Sequence, residues 1–234
     1  MPEQDRIIGV IPARYQSTRF PGKPLASIAG RPMIVRVLEA ASRARLVSRV
    51  VVATDDPRIA RVVEEAGGEA LITAAGHRSG TDRVAEVAGR IEAPYYINIQ
   101  GDEPLMDPDA VDGVAEALIA GAEMATCATR IATRNDLFDQ NVVKVVLDSE
   151  GHALYFSRHA IPFPRKYLDL GSDVDLGAST YLRHLGTYGY SRRTLAAFAE
   201  AAPCEMEELE SLEQLRALFL GIRIKVQVVE SAGP

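Results

Sequence analysis

The sequence predicts an α/β fold: a mainly parallel, twisted sheet with helices on both faces, plus a small antiparallel insertion. Three observations point there. Short apolar runs alternate with stretches of helical periodicity from Ile7 to Arg130. The polar segments that could bind a ligand follow the strand-like runs directly, at their carboxyl ends. Past residue 140 the pattern changes to closely spaced strand-like runs that suit a hairpin.

Each element has its own warrant. Ile7, Ile8, Val10 and Ile11 make an interior strand, Ile7–Ile11. In Met33–Ala44, residues Ile34, Val37, Leu38 and Ala41 share one helical face. Arg49–Ala53 is the second strand. Asp55-Asp56-Pro57 then opens a helix with a carboxylate cap and a first-turn proline, a local role that accounts for both aspartates. Glu69–Thr73 is a third strand and Ser79–Arg90 a helix with Val84, Val87 and Ala88 inward. Tyr95–Gln100 is a fourth strand, followed by Gly101-Asp102-Glu103-Pro104. Asp107-Pro108 repeats the helix start, and Met124–Arg130 is another strand. Strands alternating with helices imply parallel pairing with helices on both faces. Val142–Leu147 and Ala153–Ser157 read as a hairpin around Asp148–Gly151. Ile161–Arg165 holds two prolines and resists regular structure. Leu182–Ser191 reads as a strand ending in a bulge or turn at Gly189. Arg192–Ala201 and Glu207–Phe219 read as helices, the second with Leu209, Leu212, Leu215 and Phe219 as its core stripe, and Ile222–Val229 as a last strand. The expectation is a single domain over 1–234, with an inserted antiparallel section near 150–190.

Composition narrows the function classes. The chain has 234 residues, 47% hydrophobic and 25% charged, with a net charge of −6. That balance argues against general nucleic-acid binding, which needs a basic surface. Two isolated cysteines, Cys127 and Cys204, suit neither a disulfide scaffold nor a zinc site. No apolar run has membrane-spanning length, and MPEQDR carries no signal-peptide core, so a cytoplasmic protein with no membrane partner is expected.

Positive charge is instead concentrated in one loop. After the first strand, Arg14, Arg19 and Lys23 fall within ten residues, with Ser17, Thr18 and Gly22 among them. Three cations at a strand's carboxyl end favour a polyanion such as a nucleoside triphosphate. The loop lacks both the G-x-G-x-x-G fingerprint and the Walker spacing, so side-chain charge must do most of the holding. Asp102 follows a strand and a glycine and lacks the capping role available to Asp107, so it is the candidate ligand for magnesium; a turn aspartate is the plain alternative. His77–Arg83 is a second polar cluster, in which Ser79 or Thr81 can serve as a helix cap and Arg78 can meet a base or ribose. Gln100 offers both a donor and an acceptor for a pyrimidine edge. His184 and Tyr188 would share a strand face, with Gly186 leaving space between them. Arg158 could hold a carboxylate. Lys144 sits in an apolar strand and either snorkels at an edge or faces a ligand. Glu210 and Gln214 are four apart and would share a helix face. No nucleophile with a paired base is evident, which suggests direct transfer to a substrate oxygen.

The segments IPARYQSTRFPGKPL, HRSGTDR, NIQGDEP, NVVKVVLD, ALYFSR, RHLGTYGY and LESLEQLR, in this order, resemble the 3-deoxy-manno-octulosonate cytidylyltransferase (CMP-Kdo synthetase) family. The first marks the wider nucleotidyltransferase group; FSR, RHLGTYGY and LEQLR are more specific. The resemblance implies a Rossmann-like nucleotide-diphospho-sugar transferase fold. It implies attack of the Kdo anomeric hydroxyl on the CTP α-phosphate, giving CMP-Kdo and pyrophosphate for lipopolysaccharide synthesis, with Mg2+ as cofactor. By resemblance, Arg14, Ser17, Arg19 and Lys23 grip the triphosphate, and Ala13, Arg78, Ser79 and Gln100 form the cytidine site. Arg14, Lys23 and Asp102 carry the chemistry, and Asp102 binds the metal. Arg158, His184, Tyr188, Glu210 and Gln214 bind the sugar, and the 150–190 section makes a homodimer contact. The family continues past the last strand into a segment with a second magnesium-binding aspartate, whereas this sequence stops at Glu230–Pro234; a chain ending there is expected to bind metal weakly. Competing expectations are a cytidylyltransferase for another acid sugar (8-amino-Kdo or sialic acid) and a non-catalytic nucleotide-binding protein.

Overall fold

The computed structural model describes residues 7–16, 20–163, 165 and 181–230. Strand β1 (Ile7–Ala13) is central. It pairs in parallel with β4 (Arg49–Thr54) on one side and with β6 (Tyr95–Asn98) on the other, and β5 (Glu69–Ile72) extends the sheet beyond β4. A minor hairpin, β2 (Ser27–Ile28) and β3 (Arg31–Pro32), lies apart from it. On the other flank, β7 (Met124–Arg130) pairs in parallel with β11 (Ile224–Val229). Between β6 and β7 runs β10 (Leu182–Ser191), antiparallel to both, which makes the sheet mixed though mostly parallel. Strands β8 (Lys144–Leu147) and β9 (Ala153–Ser157) form the expected hairpin, and β8 also pairs with the start of β10.

Strand alternation supplies two cores. Ile7, Ile11, Val52, Ile97 and Cys127 face one side and meet α1 (Met33–Ala41), α2 (Pro57–Glu65) and α4 (Pro108–Ile119). Ile8, Val10, Val51, Tyr96 and Ala128 face the other, and pack on α3 (Gly80–Arg90), α6 (Arg192–Glu200) and α8 (Gln214–Phe219). A short helix, α5 (Arg134–Phe138), precedes the hairpin. The four-residue face predicted for α1 is buried throughout.

Three local expectations are corrected. The helix expected over Glu207–Phe219 is broken: α7 (Glu205–Glu210) ends at Ser211, which adopts a left-handed φ of 51°, and α8 starts at Gln214. In consequence Leu212 and Leu215 are buried, whereas Leu209 and Phe219 are exposed. Gly189 is neither bulge nor turn; it lies within β10, where a Cβ would sit 2.5 Å from Val114 of α4. The irregularity in β10 falls earlier, between Leu185 and Tyr188. Asp56 caps α2 as expected, but Asp55 instead accepts from the buried guanidinium of Arg83 at 3.2 Å. Part of the section expected near 150–190, residue 164 and residues 166–180, lies outside the described residues.

Candidate active site

Two adjoining cavities open at the carboxyl ends of β1 and β6. The first has a volume of about 720 Å³. Its walls come from the end of β1 and the loop after it (Pro12, Ala13, Arg14, Lys23), the turn after β6 (Gln100, Gly101, Asp102) and the start of α3 (Arg78, Ser79, Thr81). These turns come together because Gly101 has no side chain: a Cβ there would lie 2.5 Å from the Pro12 carbonyl oxygen. Gly22, at φ 74°, closes the cationic loop, donating from its N–H to the Tyr15 carbonyl at 2.8 Å and packing on the Tyr15 ring. Lys23 Nζ donates to Asp102 Oδ2 at 2.6 Å, joining the two turns through partly exposed side chains. The first turn of α3 is fixed by a capping box in which Ser79 Oγ accepts from the Asp82 N–H at 3.1 Å. The N-terminal end of α3 lines this cavity, and the positive end of a helix dipole favours an anion.

The second cavity, about 560 Å³, lies beside β10. Tyr188, His184 and Gly186 line it with Asn141, Val142, Leu212, Gln214, Glu103 and Arg183. Asn98, Gln100 and Glu213 line both cavities and so form their common wall. This wall is held by hydrogen bonds. Gln100 Nε2 donates to the Gly186 carbonyl at 2.9 Å, Thr81 Oγ1 to Glu213 Oε2 at 2.6 Å, and Arg216 Nη2 to Glu213 Oε1 at 2.8 Å. His184 packs edge-on to Phe156, with ring centroids 5.1 Å apart, and against Tyr188 at the same separation. Burial pushes the His184 imidazole down to about 3, so it stays neutral near pH 7. The Thr126 hydroxyl lies 2.8 Å from the Thr187 carbonyl and 3.0 Å from His184 Nε2. If it donates to the carbonyl, it must accept from His184, which places the imidazole proton on Nε2. The buried Tyr188 hydroxyl has no hydrogen-bond partner among the described residues.

This geometry has close relatives. The sequence profile of the cytidylyltransferases matches residues 8–224. The 3-deoxy-manno-octulosonate cytidylyltransferase of Geobacter sulfurreducens is 51% identical, covering 97% of this chain and 91% of the relative. That of Trichlorobacter lovleyi is 48% identical over 96% and 91%. The chain belongs to the 3-deoxy-manno-octulosonate cytidylyltransferase family. A solved CMP:2-keto-3-deoxy-manno-octonic acid synthetase complexed with CTP superposes with a TM-score of 0.88 at 41% identity, covering 98% of this chain and 92% of that one.

In this cytidylyltransferase, the first cavity brings together Ala13, Arg14, Lys23, Arg78, Ser79, Gln100 and Asp102. Ser17 and Arg19 lie outside the described residues. The second cavity gathers His184, Tyr188 and Gln214. Two residues expected at the sugar are placed elsewhere. Arg158 directs Nε, Nη1 and Nη2 to the main-chain carbonyls of Glu210, Gln140 and Ser211, at 2.7, 3.1 and 3.2 Å. Glu210 accepts from Ser157 Oγ at 2.7 Å and from the Arg158 N–H at 3.0 Å, and the helix break removes it from the face of Gln214. Gly186 does not open a gap between His184 and Tyr188; its missing side chain lets Gln100 approach. Sequence reasoning missed Asn98, Glu213 and Arg183. Glu213 directly precedes Gln214 in LEQLR and was hidden by the assumption of a continuous helix. Arg183 directly precedes His184, and neither it nor Asn98 stands out by charge pattern.

Proposed function

We propose that this enzyme joins CTP to the acid sugar Kdo, giving CMP-Kdo and pyrophosphate. The observation that carries this reading is that Asn98, Gln100 and Glu213 line both a cation-lined cavity and a second cavity, so that the two adjoin at these residues. A nucleotide on one side and a sugar on the other would meet there. The anomeric hydroxyl gives up its proton to solvent as its oxygen forms a bond to the α-phosphorus, and the bond from that phosphorus to the bridging oxygen breaks, with pyrophosphate leaving with the electron pair. Arg14 and Lys23 face the triphosphate and offset charge on its oxygens, and positioning of the two substrates supplies much of the remaining acceleration. Arg78, Ser79 and Gln100 take the cytidine. His184, Tyr188 and Gln214 take the sugar, and Arg183 offers a guanidinium to its carboxylate.

Magnesium fits this site. Asp102 presents an exposed hard-oxygen carboxylate at the mouth of the first cavity, and the ion ordinarily takes one or two such groups alongside substrate phosphates. Asp102 would hold it, and the bound ion would neutralise phosphate charge. With both ligands bound, Lys23 would be free to pair with phosphate and Asp102 with the ion. A homodimer through the inserted section belongs to the same reading; exposed Leu154 and Phe163 lie in that section, and sedimentation measures the association.

Mass spectrometry of products from CTP, magnesium and Kdo tests the reading, with 8-amino-Kdo and sialic acid as parallel substrates. CMP-Kdo with pyrophosphate is the expected outcome. A product only from another acid sugar reassigns the substrate, and nucleotide binding with no pyrophosphate release overturns the enzymatic reading.

A further inference from the structure

Lys144 is fully buried in β8, yet it lines neither cavity. Its ammonium donates to three main-chain carbonyls: Asp139 at 2.9 Å, Val142 at 2.5 Å and Arg158 at 2.6 Å. Three N–H donors meet three acceptors, which meets the requirement for burying a charge. Desolvation lowers the basicity of this ammonium, against the attraction of Asp139 and Glu210 and with the repulsion of Arg158. The residue at the far end of one of these bonds, Arg158, repeats the arrangement with the carbonyls of Gln140, Glu210 and Ser211. The six carbonyls therefore come from two chain segments, 139–142 and 210–211, and from Arg158 itself. The first segment runs into Asn141, Val142 and Val143, and the second into Leu212, Glu213 and Gln214; both triplets line the sugar cavity. Ser211, whose left-handed backbone breaks the helix and turns Gln214 inward, has its carbonyl on Arg158.

We propose that Lys144 is a positioning residue for the sugar site: its ammonium, linked through Arg158, fastens the two main-chain segments that form one side of the sugar cavity. Neither cation needs to touch the substrate. An apolar side chain in place of Lys144 would leave those three carbonyls without their donor. The inference rests on the reading of the second cavity as the sugar site, and the test separates the two.

The full-length enzyme and a Lys144→Met variant are compared by amide hydrogen exchange and by steady-state kinetics with CTP and Kdo. Exchange is expected to rise at least tenfold across 139–143 and 209–214 and to stay unchanged across α3. The KM for Kdo is expected to rise at least tenfold, with the KM for CTP within twofold of the parent. Unchanged exchange in both segments overturns the proposal, whatever the substrate proves to be. So do loosened segments with an unaltered sugar KM, and so does an equal rise of both KM values, which marks general destabilisation. Should Lys144→Met not fold, Arg158→Met carries the test. It is expected to raise exchange in both segments, and protection equal to the parent overturns the proposal. A parent enzyme that makes no CMP-Kdo refutes the functional reading and leaves the exchange result to judge the fastening alone.

Discussion

Lys23 and Asp102 show how one contact can matter little for folding and much for turnover. Their ion pair is partly exposed, and such pairs contribute about 0–1 kcal/mol. Lys23→Met is therefore expected to shift unfolding free energy by less than about 1 kcal/mol in urea titration. The same change should lower kcat by roughly 100-fold or more, the range for losing one charge-stabilising donor. A loss of stability with turnover preserved would contradict the assignment. His184 gives a prediction in pH. Its imidazole is held well below its ordinary value by burial, so the unfolded chain takes up a proton that the folded chain refuses. The resulting stability is present above about pH 6.5 and is lost as pH falls toward 3. Between pH 6.5 and pH 5 the parent should lose on the order of 1–2 kcal/mol more than His184→Asn, measured by urea unfolding at each pH. At this scale, Arg14, Lys23 and Asp102 were legible because charge in a short loop stands out in a sequence. The partners of Arg158 were not legible, because a sequence shows that a guanidinium exists and not that main-chain carbonyls will take its donors.

The turns and caps decide where those side chains arrive. Gly101 is set where the turn after β6 meets the end of β1, and a methyl group there meets the Pro12 carbonyl oxygen at 2.5 Å. Main chain cannot step aside as a side-chain tip can. Gly101→Ala is expected to cost about 1–3 kcal/mol, as overpacking does, and to depress kcat as well by displacing Asp102. Calorimetric melting and initial rates check both effects, and normal values for both would show that the approach is not needed. The capping box of α3 orders the loop that carries Arg78. Removing its oxygen with Ser79→Ala should cost about 1 kcal/mol and raise the KM for CTP several-fold. Strands, caps and Asp-Pro helix starts were readable because their signals are local. The break at Ser211 was not, because Leu212 and Leu215 fit a continuous helical stripe and nothing local marks a serine for left-handed backbone.

At the scale of the whole molecule, the parallel strands β1, β4 and β6 all direct their carboxyl ends to one rim, and β10 threads back between β6 and β7. Parallel pairing alone would place a nucleotide at that rim. The antiparallel β10 adds His184 and Tyr188 beside it, creating the second cavity next to the first. Alternation of helices and strands revealed the parallel part in the sequence. That β10 would lie inside the main sheet was not legible, because strand order depends on long-range pairing that leaves no periodic trace. No described helix is long and apolar enough to cross a membrane. The central claim is that the two substrates occupy the two cavities that share Asn98, Gln100 and Glu213, and meet where these adjoin. A crystal structure of the enzyme with CTP and a non-reactive Kdo analogue measures this directly. CTP is expected in the first cavity with its phosphates against Arg14 and Lys23, and the analogue beside His184 and Tyr188. Finding both ligands in one cavity, or the triphosphate away from Arg14 and Lys23, would contradict it.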